Sequence, residues 1–410
     1  MTARPASTPP SRRGILLPSY ASFFLIGWSG LFVPSLLRIL QDDFERSDAE
    51  FGLVYLVGAL LFAVGALVSG MIAQRVGRRV VLPASALLIA AGMAVEAVAP
   101  TWGVFLVGAG LAGTGCGAID AVASSAIMDM SAAGSGNSLN MLHLFYSVGA
   151  LTAPLAIGLL VALGVDWRAI ALATSLAALA LVAPLARVGT VPPRPRSPAG
   201  REPVAGGARV ATGLRLALAA LCVAIACYVA SEAGISSWLV GFLDDQPMTA
   251  ATLGLSLFWV GIAGGRLAAS RVADRFEPIR FTVACAVAGG IAVLAAVVLP
   301  SGVARIGLFL VAGFTFGPIY PMIVSVAGAL FPHRAAAVAG ILTAAGVVGS
   351  VSYPPLMGLI AGVASLAAGM LGAVLLILAS GGAVVAAGRF AGRRSLAPRE
   401  PERIEVPGAS

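Results

Sequence analysis

Two long apolar segments flank the stretch Gly70-Met-Ile-Ala-Gln74-Arg75-Val-Gly77-Arg78-Arg79. The segment before it, residues 50–73, and the segment after it, residues 80–99, each reach the length of about 20 residues that an α-helix needs to cross a bilayer. The stretch itself carries three arginines, which are typical of a loop on the cytoplasmic side of a membrane. Residues 50–99 therefore predict two membrane helices joined by a short basic loop.

The same alternation of apolar segments and short polar loops extends along the whole chain. The 410 residues are 59% hydrophobic and 11% charged, with a mean hydropathy of +0.97, whereas soluble domains carry about 25% charged residues. We therefore predict an all-α membrane protein with about twelve transmembrane helices in two pseudo-symmetric six-helix bundles. The spans are expected at residues 14–38, 50–73, 80–99, 102–129, 138–163, 168–187, 212–241, 250–273, 280–299, 303–330, 335–361 and 364–389.

A break near the midpoint separates the two bundles. Residues 188–211 contain five prolines and four arginines, a composition that is typical of a linker. We expect an N-terminal bundle over residues 14–187 and a C-terminal bundle over residues 212–389. The linker over residues 188–211 and the tails over residues 1–13 and 390–410 are expected to be cytoplasmic.

The arginines also predict the orientation. They cluster in alternate loops and in the linker, and basic residues accumulate on the cytoplasmic side of membrane proteins. Both termini are therefore expected in the cytoplasm, with the chain crossing the inner (plasma) membrane. The net charge of +8 comes from these loop arginines and not from a basic face of a folded domain. We therefore expect no nucleic-acid partner.

The two halves repeat several small residues at helical spacing. Glycines of this kind let helix backbones approach closely, and glycine- or proline-interrupted helices in repeated halves are typical of transporters. The alternative is that these residues serve only tight helix packing, which needs the same small side chains whether or not the protein is a transporter. The positions are Gly113 and Gly117 in the fourth span with Gly313 and Gly317 in the tenth, and Gly149, Pro154 and Gly158 in the fifth with Gly349, Pro354 and Gly358 in the eleventh.

The opening stretch resembles the loop signature of the major facilitator superfamily, Gly-x-x-x-Asp-Arg/Lys-x-Gly-Arg-Arg/Lys, with Gln74 in place of the aspartate. A weaker copy runs from Gly265 to Arg275 and keeps the aspartate. The resemblance implies a gate at these loops, and Asp129 at the inner end of the fourth span is expected to pair with Arg75. The alternative is that the charged residues of these loops only fix the orientation of the chain in the membrane and are otherwise solvated. The gating candidates are Gly70, Arg75, Gly77, Arg78, Asp129, Arg266, Asp274 and Arg275.

A narrower resemblance lies in the fourth and fifth spans. The stretches Gly115-Cys-Gly117-Ala-Ile-Asp120-Ala-Val-Ala-Ser124 and Asn137-Ser-Leu-Asn140-Met-Leu-His143-Leu-Phe-Tyr146 are similar to the fucose:proton symporter family, which includes bacterial glucose/mannose:proton symporters. The segments 228–238, 258–266 and 317–321 fit the same family. The resemblance implies proton-coupled sugar transport, and it matches sugar-contacting positions to His143 and Tyr146. The first span lacks the second carboxylate of the fucose member.

Two carboxyl groups lie deep in predicted spans. An ionisable group there costs about 2.5–3.5 kcal/mol on insertion scales, so a function is the first hypothesis. Asp120 and Glu232 are the proton-coupling candidates. The alternatives are a permanently paired Asp120 that holds helices together and a structural salt bridge between Glu232 and Arg266. Glu96 and Arg38, near predicted span ends, are expected to face loops or to snorkel to the membrane surface.

Polar and aromatic side chains supply candidate contacts to a sugar. The residues at i, i+3 spacing that share one helix face are Asn140, His143 and Tyr146. Their side chains can hydrogen-bond to the hydroxyl groups of a sugar, each of which both donates and accepts hydrogen bonds. Three aromatic residues are candidates for stacking on a sugar ring, with packing as the alternative for each. They are Trp238, Trp259 and Tyr320.

Enzymatic chemistry finds no support in the sequence. The chain contains two histidines and no lysine, so it has no Walker A lysine, and no catalytic triad or zinc spacing is present. We expect no enzyme activity, no cofactor and no bound metal. The leading hypothesis is a monomeric secondary active transporter that moves a sugar with protons across the lipid bilayer. A proton-coupled drug or metabolite exporter and a non-transporting membrane sensor remain as alternatives.

Overall fold

The computed structural model describes residues 12–130, 135–191, 208–272, 275–300 and 302–392, and the regular structure in these ranges is helical. Twelve stretches are long and apolar enough to cross a bilayer, which confirms the predicted fold class. The helices are α1 (Arg12–Phe44), α2 (Asp48–Val76), α3 (Arg78–Val98), α4 (Trp102–Met130), α5 (Ser135–Ala162), α6 (Trp167–Val188), α7 (Ala208–Phe242), α8 (Met248–Val272), α9 (Pro278–Val298), α10 (Gly302–Phe316), α11 (Ile319–Leu330), α12 (Ala335–Val363) and α13 (Leu366–Ala391).

Several helices differ from their expected bounds. The tenth span consists of α10 and α11, which together cover Gly302–Leu330 and are interrupted at Gly317–Pro318. Proline has no amide proton for the helix hydrogen bond and its ring clashes with the preceding turn, which accounts for the interruption. The first span continues to Phe44, past its expected end. Most of the predicted linker lies outside the described residues.

Polar caps define where several spans begin. The Ser47 hydroxyl accepts a hydrogen bond from the Glu50 amide at 3.4 Å, and the Glu50 carboxylate accepts one from the Ser47 amide at 3.1 Å. This reciprocal pair is a capping box, which satisfies two amides that the first turn of α2 leaves free. The Asp166 carboxylate caps α6 in a similar way at the Arg168 amide, 2.8 Å away. The apolar spans thus start directly after a side chain that caps them.

Close helix contacts repeat in the two halves at residue numbers that differ by 200. Gly117 on α4 packs against the backbone of Phe62 on α2, and Gly317 packs against the backbone of Ile262 on α8. A Cβ atom at either glycine would collide with the facing carbonyl oxygen. Further glycines that contact a neighbouring helix backbone and share this numerical relation are Gly65 and Gly265, Gly113 and Gly313, and Gly149 and Gly349.

One end of the molecule joins the two halves. Arg38 on α1 donates four hydrogen bonds to backbone oxygens at the end of α7 and just beyond it, at 3.0 Å to Val240, 3.0 Å to Leu243, 2.9 Å to Gln246 and 3.4 Å to Asp244. The Tyr55 hydroxyl on α2 donates to the carbonyl oxygen of Ser237 at 2.7 Å. We call this end, formed by residues 38–55 and 237–248, the closed end. Arg38 faces a loop, as expected, but the loop is the one after α7 and belongs to the other half.

The halves are separated at the opposite end. There, Gly70 on α2, Gly328 on α11 and Gly340 on α12 have no atom of another element within 4 Å of where a Cβ would lie. Helix α4 has no extensive packing with α10, α11 or α12 within the described ranges. We call this end, which holds residues 75–79 and 332–334, the arginine-rich end. The space between the halves therefore opens toward it.

Candidate functional site

A cavity of about 370 Å³ lies between the two halves, lined by residues of α1–α5 from the first half and of α7, α8 and α12 from the second. We call it the central cavity. Four buried polar atoms on its wall have no hydrogen-bond partner among the described residues: Ser29 Oγ, Glu96 Oε2, Ser236 Oγ and Trp259 Nε1. A buried polar group without a partner costs about 1–3 kcal/mol. The cavity therefore offers favourable contacts to water or to a polar ligand.

A tyrosine connects the charged residues of the second half. Tyr228 on α7 is 1% exposed, and its hydroxyl donates a hydrogen bond to the carboxylate of Glu232, one helical turn away. The same hydroxyl interacts with the Arg266 guanidinium on α8. Glu232 and Arg266 make no direct ion pair with each other, so the simple salt bridge that the sequence left open is wrong. The arrangement is a chain of Arg266, Tyr228 and Glu232.

Tyr146 on α5 lies between the carboxyl groups of the two halves. It interacts electrostatically with Asp120 on α4, with Glu232 and with Arg266. Asp120 is half-buried, and no basic side chain within the described ranges forms an ion pair with it. The alternative of a permanently paired Asp120 thus finds no partner there. The structure brings together Asp120, Tyr146, Glu232 and Arg266, which come from four different helices.

The other two polar candidates on α5 lie nearer the arginine-rich end. His143 is exposed and interacts electrostatically with Arg266, while its ring meets the edge of Phe23 at a centroid distance of 5.6 Å. The Asn140 side chain lies outside the described residues. His143 therefore belongs to the path between the open end and the cluster around Tyr146.

The three aromatic candidates occupy different environments. Trp259 is on the cavity wall, with its ring centroid 6.1 Å from that of Tyr146. Tyr320 is half-buried, and its ring lies 6.3 Å from that of Tyr228. Trp238 is fully buried and donates a hydrogen bond to the carbonyl oxygen of Pro354 at 2.8 Å. Trp259 alone of these three has a face on the cavity, and Trp238 has no surface to offer a ligand in this state.

The arginine pairing at the loop after α2 differs from expectation. Arg78 pairs with Asp129 and donates to Ser125 Oγ at 2.8 Å, whereas Arg75 is exposed and makes no ion pair with another described residue. Gly77 has φ +86° and joins α2 directly to α3, a conformation that favours glycine. The turn makes Arg78 the first residue of α3, which packs on α4, so the predicted Arg75–Asp129 pair is wrong.

The remaining gating candidates show few contacts. Gly70 faces open space, Arg275 is exposed, and Asp274 lies outside the described residues. Arg266 belongs to the cluster at the cavity. The second copy of the signature thus shows no counterpart of the Arg78–Asp129 pair in the described part of the chain.

The profile of the Major Facilitator Superfamily matches residues 19–354. The chain belongs to the Major Facilitator Superfamily. Proteins of this superfamily are transporters, and the twelve spans make this member a multi-pass membrane protein. No curated protein is significantly similar to it.

Solved structures of superfamily transporters share the fold at low sequence identity. A bacterial homologue of the human lysosomal transporter Spinster, in an inward-facing and occupied conformation, is 16% identical with a TM-score of 0.77, covering 96% of this chain and 100% of that one. A D-xylose-proton symporter is 16% identical with a TM-score of 0.69, covering 91% and 96%. The E. coli fucose:proton symporter is 18% identical with a TM-score of 0.58, covering 91% and 98%.

Sequence reasoning missed part of the site in this superfamily member. Glu96 was expected near a loop, but it is 1% exposed and lies on the wall of the central cavity. Ser29 and Ser236 were also missed, since single serines in apolar helices carry no distinctive pattern. Tyr228 could have been found, because it stands four residues before Glu232 and therefore on the same helix face.

Proposed function

We propose that the chain is a secondary active transporter that moves a small polar solute, a sugar, together with protons by alternating access. The unpaired polar atoms of Ser29, Ser236 and Trp259 on the cavity wall carry this proposal, because a polyhydroxylated solute can satisfy donors and acceptors at once. The volume of about 370 Å³ suits a small solute, since ligand pockets span about 300–1,000 Å³. The structural likeness to fucose and xylose symporters supports the same class of solute.

Proton coupling rests on Asp120. Its carboxyl has no basic partner in the described part of the chain, so its charge depends on whether a proton is bound. Tyr146 interacts with both Asp120 and Glu232, and this contact connects the carboxyl of α4 to the wall formed by α7. Binding of a proton at Asp120 removes a negative charge beside the cavity and favours closure of the halves around the solute.

Alternating access requires the two ends to exchange roles. In this structure the closed end is held by Arg38 and Tyr55, and the arginine-rich end is open. The arginine-rich end faces the cytoplasm if basic residues follow the positive-inside tendency. On this assignment the protein lies in the plasma membrane with both termini inside, and the structure is an inward-facing state. One chain encloses its own cavity, so we propose that the monomer is the working unit.

Uptake into proteoliposomes tests the proposal. Labelled hexoses and deoxyhexoses are offered under an imposed pH gradient, acidic on the side of the closed end. We expect gradient-driven accumulation by the wild type and its loss in Asp120→Asn, while exchange of labelled for unlabelled solute persists. Asp166→Asn is the matched control, because asparagine also caps helices well and Asp166 is exposed at the start of α6.

Two outcomes would contradict the proposal. Failure of every hexose and deoxyhexose to accumulate would exclude sugar symport. Unchanged accumulation in Asp120→Asn would exclude Asp120 as the coupling carboxyl. If the variant also left every other transport assay unchanged, a non-transporting sensor would become the better explanation.

A second observation favours export of an apolar compound. A cleft of about 800 Å³ lies between α1, α5 and α6, and its lining, which includes Phe24, Phe145 and Leu160, is almost entirely apolar. Such a cleft suits a hydrophobic compound that enters from the bilayer. Reduced accumulation of cationic dyes in cells that express the protein, reversed by Asp120→Asn, would favour a proton-coupled exporter over a sugar symporter.

A further inference from the structure

Glu96 on α3 is a buried carboxyl that the proposed mechanism has not used. It is 1% exposed, and its Oε2 atom has no hydrogen-bond partner among the described residues. An ionised carboxylate without a partner is very unfavourable in such surroundings, and the group becomes neutral instead. We therefore expect Glu96 to carry a proton in this state of the protein.

The fold makes space for this side chain. Gly108 on α4 faces Glu96, and a Cβ atom at Gly108 would lie 2.7 Å from Glu96 Cγ. Gly92, one helical turn before Glu96, lets the backbones of α3 and α4 approach each other at the same level. The carboxyl is thereby placed on the wall of the central cavity, next to Met93 and Ala112.

The helices packed around Glu96 offer nothing that neutralises a negative charge. On α4, the titratable groups that interact with one another near it are Cys116 and Asp120. On α6, Arg168 pairs with Asp43 of α1 at 2.8 Å. Helix α2 contains no charged residue between Glu50 and Arg75. No described basic side chain forms an ion pair with Glu96.

Cys116 connects Glu96 to the coupling carboxyl. It lies on the cavity wall, interacts electrostatically with both Glu96 and Asp120, and stands one helical turn before Asp120 on α4. The two carboxyls are therefore arranged along α4, with Glu96 nearer the closed end and Asp120 nearer the arginine-rich end. Glu96 and Cys116 both line the cavity, and Asp120 lies one helical turn beyond Cys116.

We propose that Glu96 is a second proton-binding site of the transport cycle, which receives a proton when the closed end opens and passes it to Asp120. In the transfer, the O–H bond of Glu96 breaks, an O–H bond forms at Asp120 and the proton moves through cavity water. The negative charge moves from Asp120 to Glu96 in the same step, so the total charge is unchanged. This inference rests on the proposed proton coupling, but the state of Glu96 can be measured without any solute.

Infrared difference spectroscopy of the protein in liposomes provides that measurement. A protonated carboxyl in apolar surroundings gives a C=O stretching band that an ionised carboxylate lacks. We expect this band in the wild type at neutral pH, its loss in Glu96→Gln, and its retention in Glu50→Gln, the control that removes an exposed carboxylate paired with Arg46. Glu96→Asp keeps a carboxyl and should show a shifted band, which covers the case of a poorly folded Glu96→Gln.

Accumulation of labelled hexoses in the same liposomes under a pH gradient tests the role of Glu96 in the transport cycle. We expect Glu96→Gln to lose gradient-driven accumulation while exchange persists. A spectrum of Glu96→Gln that equals the wild type, or full accumulation in this variant, would overturn the proposal. If the band is assigned to Glu96 but no hexose is transported, the proposal of sugar transport fails and the proposal of a proton-binding site at Glu96 remains supported. If hexose symport occurs without the band, Glu96 fails alone.

Discussion

Arg38 holds the closed end together, and its replacement by alanine should shift the balance between access states. Its guanidinium joins α1 of one half to the backbone oxygens of Val240, Leu243 and Gln246 in the other. Two of these oxygens belong to the end of α7 and the residue after it, where the helix dipole also favours a cation. These bonds exist only while this end is closed, so their loss destabilises the observed state selectively.

The size of the shift follows from the three shorter of the bonds that Arg38 donates. A hydrogen bond to a charged group contributes about 1.5–3 kcal/mol when buried, and because Arg38 is half-buried we assign about 1 kcal/mol to each. The total of about 3 kcal/mol corresponds to roughly a hundredfold change in the equilibrium between the two access states. A state that is rare in the wild type should thus become a measurable population in Arg38→Ala.

Pulsed electron resonance distances can detect this population. Nitroxide labels at Val98→Cys and Val303→Cys report across the closed end, since these positions are 73% and 79% exposed and belong to different halves. The background needs its four cysteines replaced. We expect one short distance in the wild type and an added longer distance in Arg38→Ala.

A matched arginine provides the control. Arg46 is also at the closed end, but it pairs with Glu50 at 2.7 Å on its own half, and both side chains are well exposed. Exposed pairs contribute about 0–1 kcal/mol, so Arg46→Ala should leave the distances unchanged. Unchanged distances in Arg38→Ala, or an equal change in both variants, would show that Arg38 does not hold the closed end.

Three further predictions test other contacts. Asp129→Asn should lower the midpoint of thermal unfolding in detergent more than the double variant Asp129→Asn with Arg78→Gln does. The reason is that a buried ion pair that loses one partner costs about 3–5 kcal/mol. Equal midpoints in the two variants would show that Arg78 and Asp129 do not stabilise the protein as a pair. Gly149→Ala should abolish the monodisperse peak in size-exclusion chromatography, while Gly340→Ala, with open space around it, should keep it. Tyr228→Phe should lower solute uptake at unchanged protein yield. Uptake at the wild-type level in this variant would show that transport does not need the link that Tyr228 makes between Arg266 and Glu232.

The polar cluster was only partly accessible from sequence. Asp120, Glu232 and Tyr146 could be proposed because a polar group in an apolar span is expensive and therefore conspicuous. Their convergence on one site depends on the rotation of each helix about its axis. Glu96 was misjudged for the same reason, because its distance from the end of the apolar segment says nothing about which side of α3 it occupies.

The sequence by itself determined the membrane class, the twelve spans and the repeated halves, because hydropathy and helix length are local properties that a bilayer selects directly. The tertiary structure alone decided that Arg78 rather than Arg75 pairs with Asp129 and that Arg38 joins the halves. It also decided which end of the cavity is open. These features are contacts between side chains far apart in the chain, and their geometry is set by how the helices pack rather than by the pattern within any one of them.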